Sequence, residues 1–249
     1  MLITFSGLDG SGKSTLVDHL KERLEKEDHK VAVSHMNYDV GLYSVVRYLA
    51  RNIRSGKSTA ASHAPRERAY DGNFGSRAAR FRYNLVWNKG LRTLIYPIDI
   101  LIFVCYRFYV EKVNRQVLIM DRYFYDTLVD VTGASRSLRF RFLSWLTPTP
   151  TLPVYLDVTP ERAFERKAEY SVDYLKRRRL SYQKLLTEVP EMLVLSTNHD
   201  LGSTQMHIEN VVRERLMKVQ LEMAPAARPH PVRKGSAFPF RHLTFRRRG

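Results

Sequence analysis

Gly7, Gly12, Lys13 and Ser14 stand at the spacing G-x-x-x-x-G-K-[ST], with Leu8, Asp9, Gly10 and Ser11 between the glycines and Thr15 directly after. Glycines let the main chain curl until successive N–H groups point at one spot. A helix starting there adds the positive end of its dipole, and the two together hold phosphate. Lys13 would reach the β- and γ-phosphates of a nucleotide, and the Ser14 hydroxyl would ligate Mg²⁺. The letters GKST return at Gly56 to Thr59, but Arg51 stands where the first glycine belongs and a helical pattern precedes it. That copy reads as polar loop.

A second element fits beside the first. The run QVLIM ends at Asp121, followed by Arg122 and Tyr123. An apolar strand ending in aspartate next to a phosphate loop places its carboxylate toward a metal ion. Asp121 would therefore bind Mg²⁺, directly or through water, and Arg122 would point toward the junction of phosphoryl donor and acceptor. In PERAFERKAEYS, Arg162 and Arg166 share a helix face and Lys167 adjoins them. Cations that close over a transferring phosphoryl group stabilise its transition-state charge, and closure excludes water. The run Lys176 to Arg179 (KRRR) reads as an ordinary exposed face. None of the eight histidines shows metal-ligand spacing.

The elements needed to hold these groups are visible as hydrophobic periods. Residues 2–6 form a strand and 14–26 a helix. Residues 30–34 form a second strand and 41–54 an amphipathic helix. Residues 55–76 have no apolar period and read as a flexible loop. A helical region spans 77–114, broken near Gly90 and Pro97. Strand 116–120, helices 123–131 and 137–146, and a proline-rich connector 147–153 follow. Strand 154–157 leads to a helix with Thr159 as cap and Pro160 at its first position. A helix over 171–187, a strand over 192–196 and a helix capped by Ser203 complete the pattern. Strands alternating with helices predict an α/β fold, a parallel sheet covered on both faces.

The chain has 249 residues, 44% of them hydrophobic, enough for one large domain without disulfides. A single cysteine, Cys105, favours a reducing, cytoplasmic setting. MLITFSGLDG lacks the pattern of a signal peptide. The most apolar run, Leu94 to Val110, contains Pro97, Asp99 and Arg107 and reads as a buried helix, so no transmembrane segment is expected. Of the net charge of +16, seven positive charges lie in residues 224–249, which hold no acidic residue and contain four prolines, Pro225, Pro229, Pro231 and Pro239. That tail reads as disordered, an accessory surface for polyanions.

The stretch GLDGSGKST, the triplet DRY at Asp121 to Tyr123 and the strand exit YLDVTPERAFERK together resemble the thymidylate kinase family of P-loop kinases, over roughly residues 1–222. The resemblance implies a P-loop kinase-type three-layer fold with a five-stranded parallel sheet in order 2-3-1-4-5 and a short lid at about 162–172. It implies ATP and Mg²⁺, with transfer of the γ-phosphate to a small acceptor. Gly7, Gly10, Ser11, Gly12, Lys13, Ser14 and Thr15 fall at its ATP-phosphate positions, and Asp9 at that of a carboxylate touching the acceptor sugar. Asp121 and Arg122 match its pair at the metal and the acceptor phosphate; Arg162, Arg166 and Lys167 sit where its lid cations sit. Two departures concern the acceptor half. Where the family carries an EPGG-type stretch the chain reads SHMNYDVGLYS, and its ADR triplet is missing, Arg107 being the nearest arginine. Thymidylate itself is therefore not the favoured acceptor.

Two acceptor classes stay open at this level. A phosphate monoester is already an anionic nucleophile and needs cations such as Arg122 or Arg107. A sugar or nucleoside hydroxyl gains from a base, for which Asp9, Asp121 and Asp126 are candidates. Tyr38, Tyr43, Tyr96, Phe103, Tyr106 and Tyr125 are candidate pocket aromatics, with plain core as the alternative. The competing reading is an ATP-binding switch without turnover whose basic tail contacts a polyanionic partner. A homodimer is compatible with either.

Overall fold

A computed structural model of the chain describes residues 1–36, 41–42, 45, 89–132, 138–189, 191–198 and 201–223. The second GKST copy, most of the expected 41–54 helix, the 55–76 loop, Tyr38, Tyr43 and the 224–249 tail lie outside the described residues.

Strands β1 (Leu2–Gly7), β2 (Val31–His35), β3 (Val117–Asp121), β4 (Leu152–Asp157) and β5 (Leu193–Ser196) form one parallel sheet in the order β2-β3-β1-β4-β5. The helices are α1 (Lys13–Lys26), α2 (Lys89–Phe108), α3 (Phe124–Thr132), α4 (Leu138–Leu146), α5 (Pro160–Arg166), α6 (Val172–Leu186) and α7 (Leu201–Met223). A π-helical turn, Tyr109–Val113, extends α2 toward β3. Side chains alternate across the sheet. Leu2, Leu118 and Met120 join one core with Phe103 of α2, Leu128 of α3 and Tyr182 of α6. Ile3, Phe5 and Ile119 join the other with Leu20 of α1 and Val212 of α7. Because both faces are covered, β3 carries an unbroken apolar run ahead of Asp121, and β1 buries even Thr4 and Ser6 among its apolar residues.

The register sets Phe5 opposite Asp121 and Gly7 opposite Leu156. The carboxyl ends of β3, β1 and β4 therefore lie side by side, where open parallel sheets bind ligands.

Four local expectations change. The helix does not break at Pro97 but runs through it. Pro97 itself lies on the exposed side of the helix. An interior proline costs about 3 kcal/mol; burial of Ile95, Tyr96, Ile100 and Phe103 on the inner face, at about 1.5–3 kcal/mol each, outweighs it. Nor is α2 buried throughout. Leu94, Leu101 and Phe108 face outward and are largely exposed. Gly90–Val113 is long and apolar enough to cross a membrane by length and composition, but its inner face is built into the domain core. Strand β4 takes in Leu152 and Pro153 from the connector. Pro153 pairs with Thr4 on one side and lies beyond the first β5 partner, Leu193 with Val154, so on that side its missing N–H has no strand to serve. Finally, α7 begins at Leu201, ahead of Ser203, which lies inside it.

Candidate functional site

At the end of β1 the chain must turn between two neighbours. A Cβ on Gly7 would come within 2.6 Å of the Leu156 carbonyl oxygen of β4, so only glycine lets the strand end so close to it. The loop then passes through Asp9, Gly10 and Ser11 to Gly12, whose φ of 87° sets the left-handed entry into α1. Lys13 is buried at the first position of that helix. Its ammonium donates to the carbonyls of Leu8 (2.6 Å) and Gly7 (3.0 Å) and to Ser11 Oγ (3.4 Å). Burial pulls its pKa down to about 8, helped by repulsion from Arg122 and opposed by Asp9, Asp126 and Asp121. Ser14 and Thr15 are exposed on the first turn of α1.

Pairing of β3 beside β1 brings Asp121 to this turn. Ser14 Oγ donates to Asp121 Oδ2 at 2.8 Å. The other carboxylate oxygen, Oδ1, is buried with no hydrogen-bond partner among the described residues. A hydroxyl and a carboxylate in contact, with one orphaned anionic oxygen, fit the hard-oxygen donor set of Mg²⁺. Among the described residues no three His, Cys, Asp or Glu side chains converge, so a metal here would complete its shell from phosphate and water oxygens.

Arg122 follows with φ 71°, its N–H donating to the Phe5 carbonyl at 3.0 Å. That backbone turn sends the side chain inward. The guanidinium is hydrogen-bonded and ion-paired to Asp9 and lies 3.7 Å from Asp126. Burial works to lower its pKa, but the Asp9 and Asp126 carboxylates outweigh that and raise it above the ordinary arginine value. Asp126 accepts from Tyr182 Oη (2.5 Å), Ser6 Oγ (2.9 Å) and the Tyr123 N–H (3.1 Å). Three donors hold this carboxylate in place.

Beyond Asp126 the polar chain continues inward. Arg178 lies over the Tyr182 ring, 5.5 Å from its centroid, and pairs with Asp130 at 2.5 Å, while Arg92 approaches the other Asp130 oxygen at 3.3 Å. All three charged side chains are more than nine-tenths buried. Arg179 makes a bidentate bond to Asp157 at 2.6 and 2.7 Å. The KRRR run is thus no ordinary exposed face, since two of its arginines are structural partners. The signal was present: Leu175, Arg178, Tyr182 and Leu185 recur at helical spacing and form the buried side of α6.

The helix α5 rests directly on the loop. A Cβ on Gly10 would lie 2.4 Å from the Ala163 carbonyl oxygen. Thr159 and Pro160 occupy the cap and first positions as their types predict. Arg162 is exposed, Arg166 donates to the Thr197 carbonyl at 2.7 Å, and Lys167 pairs with Glu169 at 3.0 Å. Arg107 is not near. It bonds Glu111, which holds the Met1 amine at the opposite end of β1 from Gly7. Tyr96 and Phe103 stack edge-on against Phe124 in the core, and the Tyr96 hydroxyl bonds Thr147 at 2.6 Å. Tyr125 is buried, which pushes its hydroxyl up to about 12, and Tyr106 packs half-buried against the same core.

No protein-family model matches the chain. It is 23% identical over 234 residues to a thymidylate kinase of Legionella pneumophila (strain Paris), covering 86% of this chain and 94% of the relative. A thymidylate kinase of Caldanaerobacter subterraneus subsp. tengcongensis is 26% identical over 207 residues, 78% of this chain and 85% of its own. A probable thymidylate kinase of Thermococcus gammatolerans is 24% identical over 227 residues, 87% of this chain and 98% of its own. Likeness along most of the chain, joined to the sheet order 2-3-1-4-5 and a phosphate-loop turn facing the aspartate of β3, makes the chain similar to thymidylate kinases and gives it the architecture of a P-loop kinase fold.

Proposed function

We propose that the protein is a MgATP-dependent phosphotransferase whose acceptor is a small phosphate monoester of the nucleoside monophosphate class. One observation carries the reading: Ser14 and Asp121 meet at 2.8 Å beside the phosphate-loop lysine, and Asp121 keeps one buried oxygen without a partner. Ser14 and Asp121 would hold Mg²⁺, which supplies charge neutralisation between the β- and γ-phosphates. Lys13 exchanges the carbonyls of Gly7 and Leu8 for phosphate oxygens. The loop N–H groups from Asp9 to Thr15 orient the nucleotide's phosphates. Arg162, Arg166 and Lys167, on and just after the helix that rests on the loop, are positioned to meet transition-state charge once the lid, about residues 162–172, closes. The catalytic unit spans residues 1–222, with 223–249 as an appended basic tail.

The choice of acceptor follows from where the carboxylates are spent. Asp9 is paired with Arg122, Asp126 holds Tyr182, Ser6 and Tyr123, and the unpartnered oxygen of Asp121 is the one this reading gives to Mg²⁺. A hydroxyl acceptor wants a base; a phosphate monoester wants a fixed cation, and Arg122 is one. The test is an acceptor panel of nucleoside monophosphates, nucleosides, sugars and sugar phosphates, read as ATP consumption. Turnover with a nucleoside monophosphate supports the proposal. Turnover with only a nucleoside or sugar hydroxyl overturns the acceptor class, and tight ATP binding without turnover across the panel favours the switch.

A further inference from the structure

The outward face of α2 is the feature that the phosphoryl-transfer reading leaves unexplained. Leu94, Leu101 and Phe108 recur every seven residues, so they lie in one stripe along the helix. They are 73%, 65% and 62% exposed. Helix α4 packs beside α2, and its outer side presents Leu138, Phe142 and Trp145, with Trp145 79% exposed. Phe142 and Trp145 sit as a tilted pair, ring centroids 6.5 Å apart. An apolar face of this kind on two neighbouring helices marks a contact surface.

The charges around it say what the contact is. Lys112, one turn beyond Phe108 on the same stripe, is exposed, as are Arg115, Arg139 and Arg141. The only acidic residues on α2, its π-helical extension and α4 are Asp99 and Glu111. Asp99 is buried and accepts from the Leu42 N–H, and Glu111 is held by Arg107 and the Met1 amine. The face is therefore apolar and aromatic, with exposed positive charge alone along it. Against the same face of a second copy in a two-fold pair, those cations would meet one another, and α2, its extension and α4 offer no exposed carboxylate to answer them. A bilayer containing anionic lipid supplies both missing parts: acyl chains for the leucines and phenylalanines, and phosphates for the lysine and arginines. Tryptophan and arginine on one helix face are also the side chains that settle at a headgroup boundary. The net charge of +16 draws the whole molecule toward such a surface.

We propose that the joint outer face of α2 and α4 docks on an anionic membrane surface, lying in the interface and not spanning it. The inner face of α2 stays in the core throughout.

The chain has two tryptophans, Trp87 and Trp145, so Trp87→Phe in the full chain leaves Trp145 as the sole reporter. Vesicles of equal parts phosphatidylcholine and phosphatidylglycerol should carry the protein down on sedimentation and shift Trp145 emission to the blue. Pure phosphatidylcholine vesicles should do neither. The double variant Leu101→Glu/Phe108→Glu should lower partitioning about tenfold or more, and Arg139→Gln/Arg141→Gln should lower the preference for anionic vesicles. Both pairs are exposed, so helical circular dichroism and ATP turnover in solution stay as in the parent. Vesicle binding unchanged in the Leu101/Phe108 variant would overturn the proposal, because binding would then belong to the tail. A parent that ignores vesicles and forms a dimer that the same variant dissociates would overturn it too, making the face a protein interface.

Discussion

Lys13 gives up most of its hydration for the carbonyls of Gly7 and Leu8 and a hydroxyl, and its pKa falls from the ordinary 10.5 to about 8 chiefly for that reason. In the folded chain it therefore loses its proton before the unfolded chain does. The sign follows: the lowered value destabilises the fold fully below pH 8, and the penalty is relieved as pH rises from about 8 to 10.5. A phosphate arriving at the loop reverses the balance, because its negative charge favours the ammonium. MgATP binding at pH 8.5 should then take up roughly half to one proton, and affinity should weaken as pH climbs past 8. Calorimetric titration in two buffers of different ionisation enthalpy measures this directly. Lys13→Ala should abolish the uptake and lower turnover by a factor of at least about a hundred while keeping the fold. Equal heats in the two buffers, after correction for free nucleotide, would mean that no phosphate reaches Lys13.

At the scale of elements, the site is a contact between a loop and a helix. Ala163 of α5 presses its backbone on Gly10, whose φ is 87°. Gly10→Ala meets both obstacles: a left-handed conformation costing an L-residue about 1–2 kcal/mol, and a carbonyl oxygen 2.4 Å from the new Cβ. Neither neighbour is a flexible side chain, so α5 must lift. The expected result is a modest fall in melting temperature with a much larger fall in turnover, because Arg162 and Arg166 ride on that helix. Loss of stability with normal turnover would show that the α5 cations act independently of this contact. The same scale shows what could be read from residues beforehand. The phosphate turn and the Asp121 strand were visible because each has a fixed spacing and an apolar run of its own. The chain Asp9–Arg122–Asp126–Tyr182–Arg178–Asp130 was not, because its members come from the phosphate loop, the β3 exit, α3 and α6 and meet only after the sheet has formed. Arg178 looked like its neighbours in KRRR; only the period shared with Tyr182 set it apart. The continuity of α2 was hidden for another reason. Proline propensity is local, whereas burial of Tyr96 and Phe103 is a tertiary gain. Apolar content alone also does not say which face of a helix will be covered.

For the whole molecule, the sheet joins these parts into one ligand-responsive unit. Ser14 comes from α1 and Asp121 from β3, 107 residues apart in sequence, and neither is near the other in an unfolded chain. A ligand that bridges them binds the folded state only, and so adds RT ln(1 + [L]/Kd) to stability, about 2.7 kcal/mol at a hundredfold excess over Kd. For a domain of this size each kcal/mol moves the melting temperature by about 2–4 °C, so MgATP should raise it by roughly 5–10 °C. ATP with a chelator should raise it less, since the loop amides and Lys13 remain but the metal bridge does not. Asp121→Asn removes one anionic ligand and keeps its shape, so for that variant the two conditions should converge. A variant that still melts higher with Mg²⁺ than with chelator, by the full parental margin, would place the metal away from β3, and the phosphotransferase reading would lose the contact on which it stands.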